Sequence, residues 1–218
     1  MIREFLSYSI NEDTPLYGGE KAISIKNKSQ ISSGDSSNSK YFMFPGHCGT
    51  HIDFPKHFSD SGKSINDYPA SFWFFKNIFV INYPAMINEI IDEKLFQNLE
   101  VPTATEFLII KTGFGEFRSK NTYWENNPGL SDNLAGYIKT KLPNIRAIGF
   151  DFISLSAYQN RPVGRLAHKA FLVENDILII EDMNLIGHIS GKINKIYALP
   201  LQIDQADGVP ITIMAEYE

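Results

Sequence analysis

The chain has 218 residues, 43% of them apolar and 13% aromatic, which is enough for one domain with a substantial core. Twenty basic residues stand against 25 acidic ones, a formal net charge of −5 at pH 7, so there is no broad positive field to recruit a phosphate backbone and no nucleic-acid partner is expected. No apolar run approaches the roughly 20 residues of a membrane span, and the opening MIREFLSYSINEDTP lacks the layout of a secretory leader. With a single cysteine, Cys48, this predicts a cytoplasmic chain without disulfides or membrane association.

In chain order, EFLSYSI, KAISIKN and KYFMF cluster aromatic and β-branched residues between turn formers and predict short strands in the first third. The polar stretch SQISSGDSSNSK between the second and third predicts an exposed loop. NIFVINY, EFLIIKTG and AIGFDFISLS are apolar runs of strand length, as expected of strands covered on both faces. Between the last two, Leu134, Tyr137, Ile138 and Leu142 recur at helical spacing behind Ser131, which can cap that helix. A second helix is predicted over GRLAHKAFLVEND, with Leu166, Ala170 and Val173 as its apolar stripe, followed by the strand ILIIED and the closing strands KIYALPLQI and PITIMAEY. The expectation is one mixed α/β domain over residues 1–218, rich in sheet and poor in helix.

The stretch PGHCGTHIDFPKHF, residues 45–58, holds three of the five histidines. Imidazole and carboxylate are the common ligands of zinc and its neighbours. If the segment is extended, His51 and Asp53 point to the same side, while the glycines at 46 and 49 let the chain bend so that His47 joins them. Pro55 stiffens the approach to His57, which is set apart from the other three and suited to acid/base work. Histidines in a glycine-rich turn can also simply hydrogen-bond backbone carbonyls. Cys48, beside two histidines, admits a thiol-nucleophile reading. Asp151, at the end of a predicted strand, can orient a ligand histidine or bond a turn. His188 reads as a surface-loop residue.

HCGTHIDFPKHF resembles the H-x-G-T-H-x-D-x-P-x-H-F signature of the metal-dependent cyclase family, which includes bacterial kynurenine formamidases and isatin hydrolases. The resemblance extends through SYSINEDTPLYGG, GKSINDYP, IIKTGFG, NPGLS, IGFDFISLS, GRLAHKAFLVENDILIIEDMNL and YALPLQIDQADGVPITIMA. It implies a swivelling β/β/α fold and two divalent ions per chain, zinc first and manganese or iron also compatible. It implies His47, His51, Asp53, His168 and Glu181 as ligands, with Asp53 and Glu181 bridging, and His57 as the acid/base. A carboxylate such as Glu181, after four aliphatic residues, would in any case need a buried partner. The family interval is one residue shorter than the thirteen between His168 and Glu181, so either the turn at Glu174-Asn175-Asp176 absorbs an extra residue or one ligand assignment slips.

The function expected on this basis is hydrolysis of a small amide or lactam by metal-activated water, with a small-molecule substrate and a homodimeric or homotetrameric assembly. The alternatives are a cyclase or dehydratase using the same ions on another carbonyl compound, and a non-catalytic binding protein stabilised by a closed metal site.

Overall fold

The computed structural model describes residues 2–187 and 192–217; His188 lies outside the described residues. In chain order the strands are β1 (Ile2–Phe5), β2 (Ser24–Ser29), β3 (Ser39–Met43), β4 (His51–Asp53), β5 (Phe74–Phe75), β6 (Ile78–Asn82), β7 (Ile90–Ile91), β8 (Phe107–Lys111), β9 (Gly129–Leu130), β10 (Ala147–Phe150), β11 (Leu178–Glu181), β12 (Ile193–Pro200) and β13 (Gly208–Tyr217). The α-helices are α1 (Thr122–Glu125), α2 (Asp132–Lys141) and α3 (Arg161–Lys169). The outcome is a mixed α/β fold dominated by sheet, as the sequence predicts.

Two of the three apolar runs become buried strands of the main sheet, β8 and β10. The third, expected to be covered on both faces, becomes the edge strand β6, where only Ile81 is fully buried because no strand pairs with its outer side among the described residues. β6, β8, β10 and β11 are parallel neighbours, and every residue of β10 and β11 is buried, the pattern of strands covered on both faces. Among the described residues the main sheet runs β5-β12-β13-β4-β11-β10-β8-β6, with β1 also on β13. β4 is the seam: it pairs antiparallel with β11 on one side and with β13 on the other. β2 and β3 form a separate hairpin, and β7 and β9 a short parallel pair.

The β8-to-β10 crossover carries α2, which sinks Leu134, Ala135 and Ile138 into the core, with Leu142 just beyond. Ser131 occupies its N-cap position, but the hydroxyl makes no capping bond and is buried with no hydrogen-bond partner among the described residues. The expected stripe on the next helix is also corrected. Leu166 and Val173 are 58% and 37% exposed, and the inward face is Gly164, Ala167, His168, Ala170, Phe171 and Leu172. The reason is steric: Gly164 lies so close to Ser156 that a Cβ there would collide with its side chain, so small residues bring the helix against the loop after β10. Beyond Lys169 the helix widens into a π turn over Ala170–Glu174. Its i→i+5 bonds enclose one more residue than α-helical ones, so the thirteen-residue interval from His168 to Glu181 is accommodated before the turn at residues 174–176 is reached.

Candidate metal centre and active-site cleft

Three residues of β4 set the geometry. Alternation along the strand puts His51 and Asp53 on one face while Ile52 enters the core on the other. Register then brings Glu181, at the end of β11, directly opposite His51. His47 arrives from the preceding loop, where Gly49 takes φ +58°. Its ring lies over Gly208, the first residue of β13, so closely that any Cβ at 208 would collide with the imidazole. Gly208→Ala is therefore expected to displace His47 and weaken metal affinity by about 10- to 100-fold, the usual cost of disturbing the support of a ligand, as measured by metal titration of the variant.

The structure brings together all six residues that the resemblance implies for the site, His47, His51, Asp53, His57, His168 and Glu181. Asp53 Oδ1 is 2.8 Å from His47 Nδ1 and 3.4 Å from His51 Nε2, and its Oδ2 is 3.5 Å from His168 Nε2. Glu181 faces His51 Nε2 and His168 Nε2, each at 3.4 Å. The donor atoms form two groups whose members all lie within 4.8 Å of one another: His47, Asp53 and His57, and His51, Asp53 and Glu181. Asp53 belongs to both. The alternative role of the histidines, bonding to backbone carbonyls, is also realised, but on their outer nitrogens. His51 Nδ1 is 2.9 Å from Gly49 O and His168 Nδ1 is 2.9 Å from Gly164 O. A Nδ1–H donated to each carbonyl leaves both Nε2 lone pairs directed at the carboxylates, the arrangement in which imidazole accepts a metal.

The electrostatics show how much positive charge the cluster demands. Burial disfavours charge on His47, yet Asp53 and Asp207 outweigh it and raise its pKa to about 9. His168 rises to about 10 against the same burial penalty, through Asp53 and Glu181. The buried carboxylates move the other way. Asp53 is held well below the usual carboxylate range despite burial, chiefly by His47 and His168, and Glu181 is lowered despite both burial and the nearby charge of Asp53. Two buried carboxylates thus require cations, which either histidinium ions or divalent metals can supply, and the donor set fits the latter. His57 differs: burial, with the charges of His47 and His168, pushes it below the ordinary imidazole value against the pull of Asp53 and Asp207.

Asp207 is the residue the sequence reading misses. Its Oδ2 lies 3.0 Å from both His47 Nε2 and His57 Nδ1, and its backbone carbonyl accepts from Phe54 N at 2.9 Å. The Asp207-Gly208 dipeptide reads as a turn, which hides the carboxylate; the only signal was an acid immediately before a strand. Asp182, next to Glu181, adopts φ +51° and is held by a two-pronged contact from Arg118 at 2.7 and 2.8 Å and by Tyr123 Oη at 2.5 Å, which fixes the strand end that presents Glu181. Among the described residues Asp151 orients no histidine; it accepts from Thr112 N, Thr112 Oγ1 and Gly113 N in a turn. Cys48 is buried, and burial together with Asp182 pushes its thiol pKa up despite His51, so it is no thiolate near neutral pH. Cys48→Ser is expected to keep most of the turnover; a loss of about three orders of magnitude at full metal content would instead make the thiol the nucleophile.

The cluster forms the floor of a cleft of about 350 Å³ whose walls include Leu16, Tyr17, Phe58 and Ile153. Phe58 stacks on the His168 ring at 4.8 Å between centroids. A solved isatin hydrolase bound to the product analogue thioisatinate superposes with a TM-score of 0.80 at 16% sequence identity, over 99% of this chain and 92% of that one. A kynurenine formamidase from Geobacillus thermodenitrificans (strain NG80-2) is 27% identical over 209 residues, which is 94% of this chain and 93% of the relative. A cyclase-like protein 2 from Oryza sativa subsp. japonica is 21% identical over 226 residues, 94% of this chain and 76% of the relative. The family model Cyclase, described as "Putative cyclase", matches residues 5–157. Since that match takes in well over half of the residues, the chain belongs to the cyclase family.

Proposed function

We propose that this chain is a metal-dependent hydrolase that opens the C–N bond of a small amide or lactam. The observation that carries the reading is the convergence of His47, His51 and His168 on the buried Asp53, with Glu181 facing the last two, at the floor of an open cleft. The names of two relatives, kynurenine formamidase and isatin hydrolase, support the same reaction class. His47, His51, Asp53, His168 and Glu181 would hold the cation or cations, with Asp53 between the two groups. When bound, such ions polarise a carbonyl and acidify water.

The chain's own residues supply the rest. His57 donates Nδ1–H to Asp207, which leaves Nε2 as its basic atom, and its lowered pKa keeps that atom free of a proton near neutral pH. It can take a proton from the attacking water and return it to the departing nitrogen. Glu181 Oε1 accepts from Leu155 N at 2.6 Å and from Ser154 Oγ at 3.3 Å, so that oxygen is fixed and its carboxylate cannot rotate away from His51 and His168. Phe58 and Leu16 add apolar surface to the cleft wall.

The test is elemental analysis of the purified protein beside hydrolysis assays on a panel of N-formyl arylamines and cyclic amides. Between one and two divalent ions per chain and turnover of at least one panel member are expected. Less than about a tenth of an ion per chain after metal-supplemented expression would overturn the reading. Chelation should abolish turnover and lower the melting temperature together, because a ligand bound only by the folded chain stabilises it by mass action. A chelated protein with unchanged melting temperature would place the ions elsewhere.

A further inference from the structure

The chain has five arginines. Three are paired with carboxylates: Arg3 with Glu216, Arg118 with Asp182, and Arg146 with Glu106. The other two, Arg161 and Arg165, both line the candidate metal cleft, and among the described residues neither is ion-paired to a carboxylate. Their spacing is directional. Positions 161, 165 and 168 are i, i+4 and i+7 on α3, so both guanidinium stems rise from the helical stripe that carries His168 into the cluster. Along the helix axis their Cα atoms stand about 4.5 Å and about 10.5 Å from that of His168, which is the span of a small ring and its substituent. Like charges at i and i+4 disfavour each other, and among the described residues no carboxylate is ion-paired with either to offset that.

Arg161 is also pre-set. Its guanidinium lies 4.2 Å from the Tyr158 ring centroid and 5.7 Å from that of Tyr17, and the two tyrosines are themselves packed edge to face at 5.5 Å. Stacking holds the guanidinium by its face beside the Tyr17 hydroxyl, and a guanidinium with five N–H groups can still present an edge that donates two parallel bonds in plane, the geometry a carboxylate accepts. Leu16, Tyr17 and Ile153 offer apolar surface beside it.

We propose that Arg161 and Arg165 form an anion-recognition subsite in the mouth of the cleft, so that the substrate is a small amide bearing a carboxylate or similar anionic group on an apolar body. The inference deepens the hydrolase reading and rests on it for the word substrate, whereas the anion subsite itself is testable without turnover.

The experiment uses the metal-loaded protein, wild type and R161Q/R165Q, in two assays. Calorimetric titration with benzoate and with benzamide reads recognition alone. Wild type is expected to bind benzoate at least about tenfold more tightly, with a preference that weakens as salt is raised, and R161Q/R165Q to lose the preference. Hydrolysis of 2-formamidobenzoate against formanilide reads substrate choice. Wild type is expected to favour the anionic amide at least about tenfold in kcat/KM, mainly through KM, and the variant to bring the ratio toward one. Both arginines are solvent-exposed, so the substitutions spare the core; R161K/R165K, which keeps the charges but not the fork, should retain part of the preference. Equal handling of charged and neutral probes by wild type would overturn the proposal. A preference that survives in R161Q/R165Q would overturn it too, by assigning the anion to the metal centre. If no member of the amide and lactam panel is cleaved while benzoate is still discriminated through the arginines, the hydrolase reading falls and the subsite stands; if both formamides are cleaved alike and benzoate is not preferred, the reverse holds.

Discussion

Asp53→Ala is expected to lose bound metal and turnover together. The carboxylate is buried, touches His47, His51 and His168, and belongs to both donor groups, so its removal takes a ligand and a negative charge from each half of the cluster at once. Two cations a few ångströms apart repel strongly where little water screens them, and without the shared anion at least one should be expelled. Metal catalysis of this kind supplies several kcal/mol, so the rate should fall by at least about 10³-fold. Asp53→Asn, which keeps volume and one acceptor oxygen, should show nearly the same loss, separating charge from packing. Elemental analysis and kinetics on both variants decide it; two ions retained by Asp53→Ala would remove the bridge from the account.

His57→Ala is expected to split those two readouts. The His57 ring is a member of one donor group, yet its Nδ1 is engaged by Asp207 and it sits at the partly exposed rim, where a proton carrier is useful and a ligand is weakly held. The variant should therefore keep its metal while losing about 10²- to 10⁴-fold in turnover, the usual share of general acid/base catalysis. The pH profile gives a second check. A base must be unprotonated to act, so the wild-type rate should decline as pH falls through the lowered His57 value, and His57→Ala should flatten that acidic limb. An ion lost from His57→Ala would make His57 a ligand.

What could be read from the sequence, and what could not, follows from how each element is held. The runs that became β8, β10 and β11 are legible because parallel strands buried on both faces need apolar side chains at nearly every position. The opening histidine segment is legible as chemistry, since rare residue types concentrate there. β4 itself is barely legible: three residues, His-Ile-Asp, carry no periodicity, and it is a strand because β11 and β13 pair with it from either side. The face of α3 is misread because its inward positions are Gly164, Ala167 and His168, small or polar groups that a count of apolar residues overlooks, while Leu166 faces solvent. Asp207 stays hidden because its neighbour Gly208, which makes room for the His47 ring, also makes the pair look like an ordinary turn.

The seam position of β4 has a consequence for when the protein acquires its site during folding. β4 comes from the first quarter of the chain, but the strands that clasp it and the carboxylates that complete its cluster, Glu181 and Asp207, come from the last fifth. Loops of well over a hundred residues must close before the donors meet, and such closures are the slow, entropically costly steps of assembly. A chain still emerging from the ribosome carries the whole histidine motif yet lacks Glu181, one of the five residues that would hold the ion, and Asp207, which supports His47. Tight metal capture should then coincide with the final joining of the sheet, so that the bound ion acts as a latch on the finished topology.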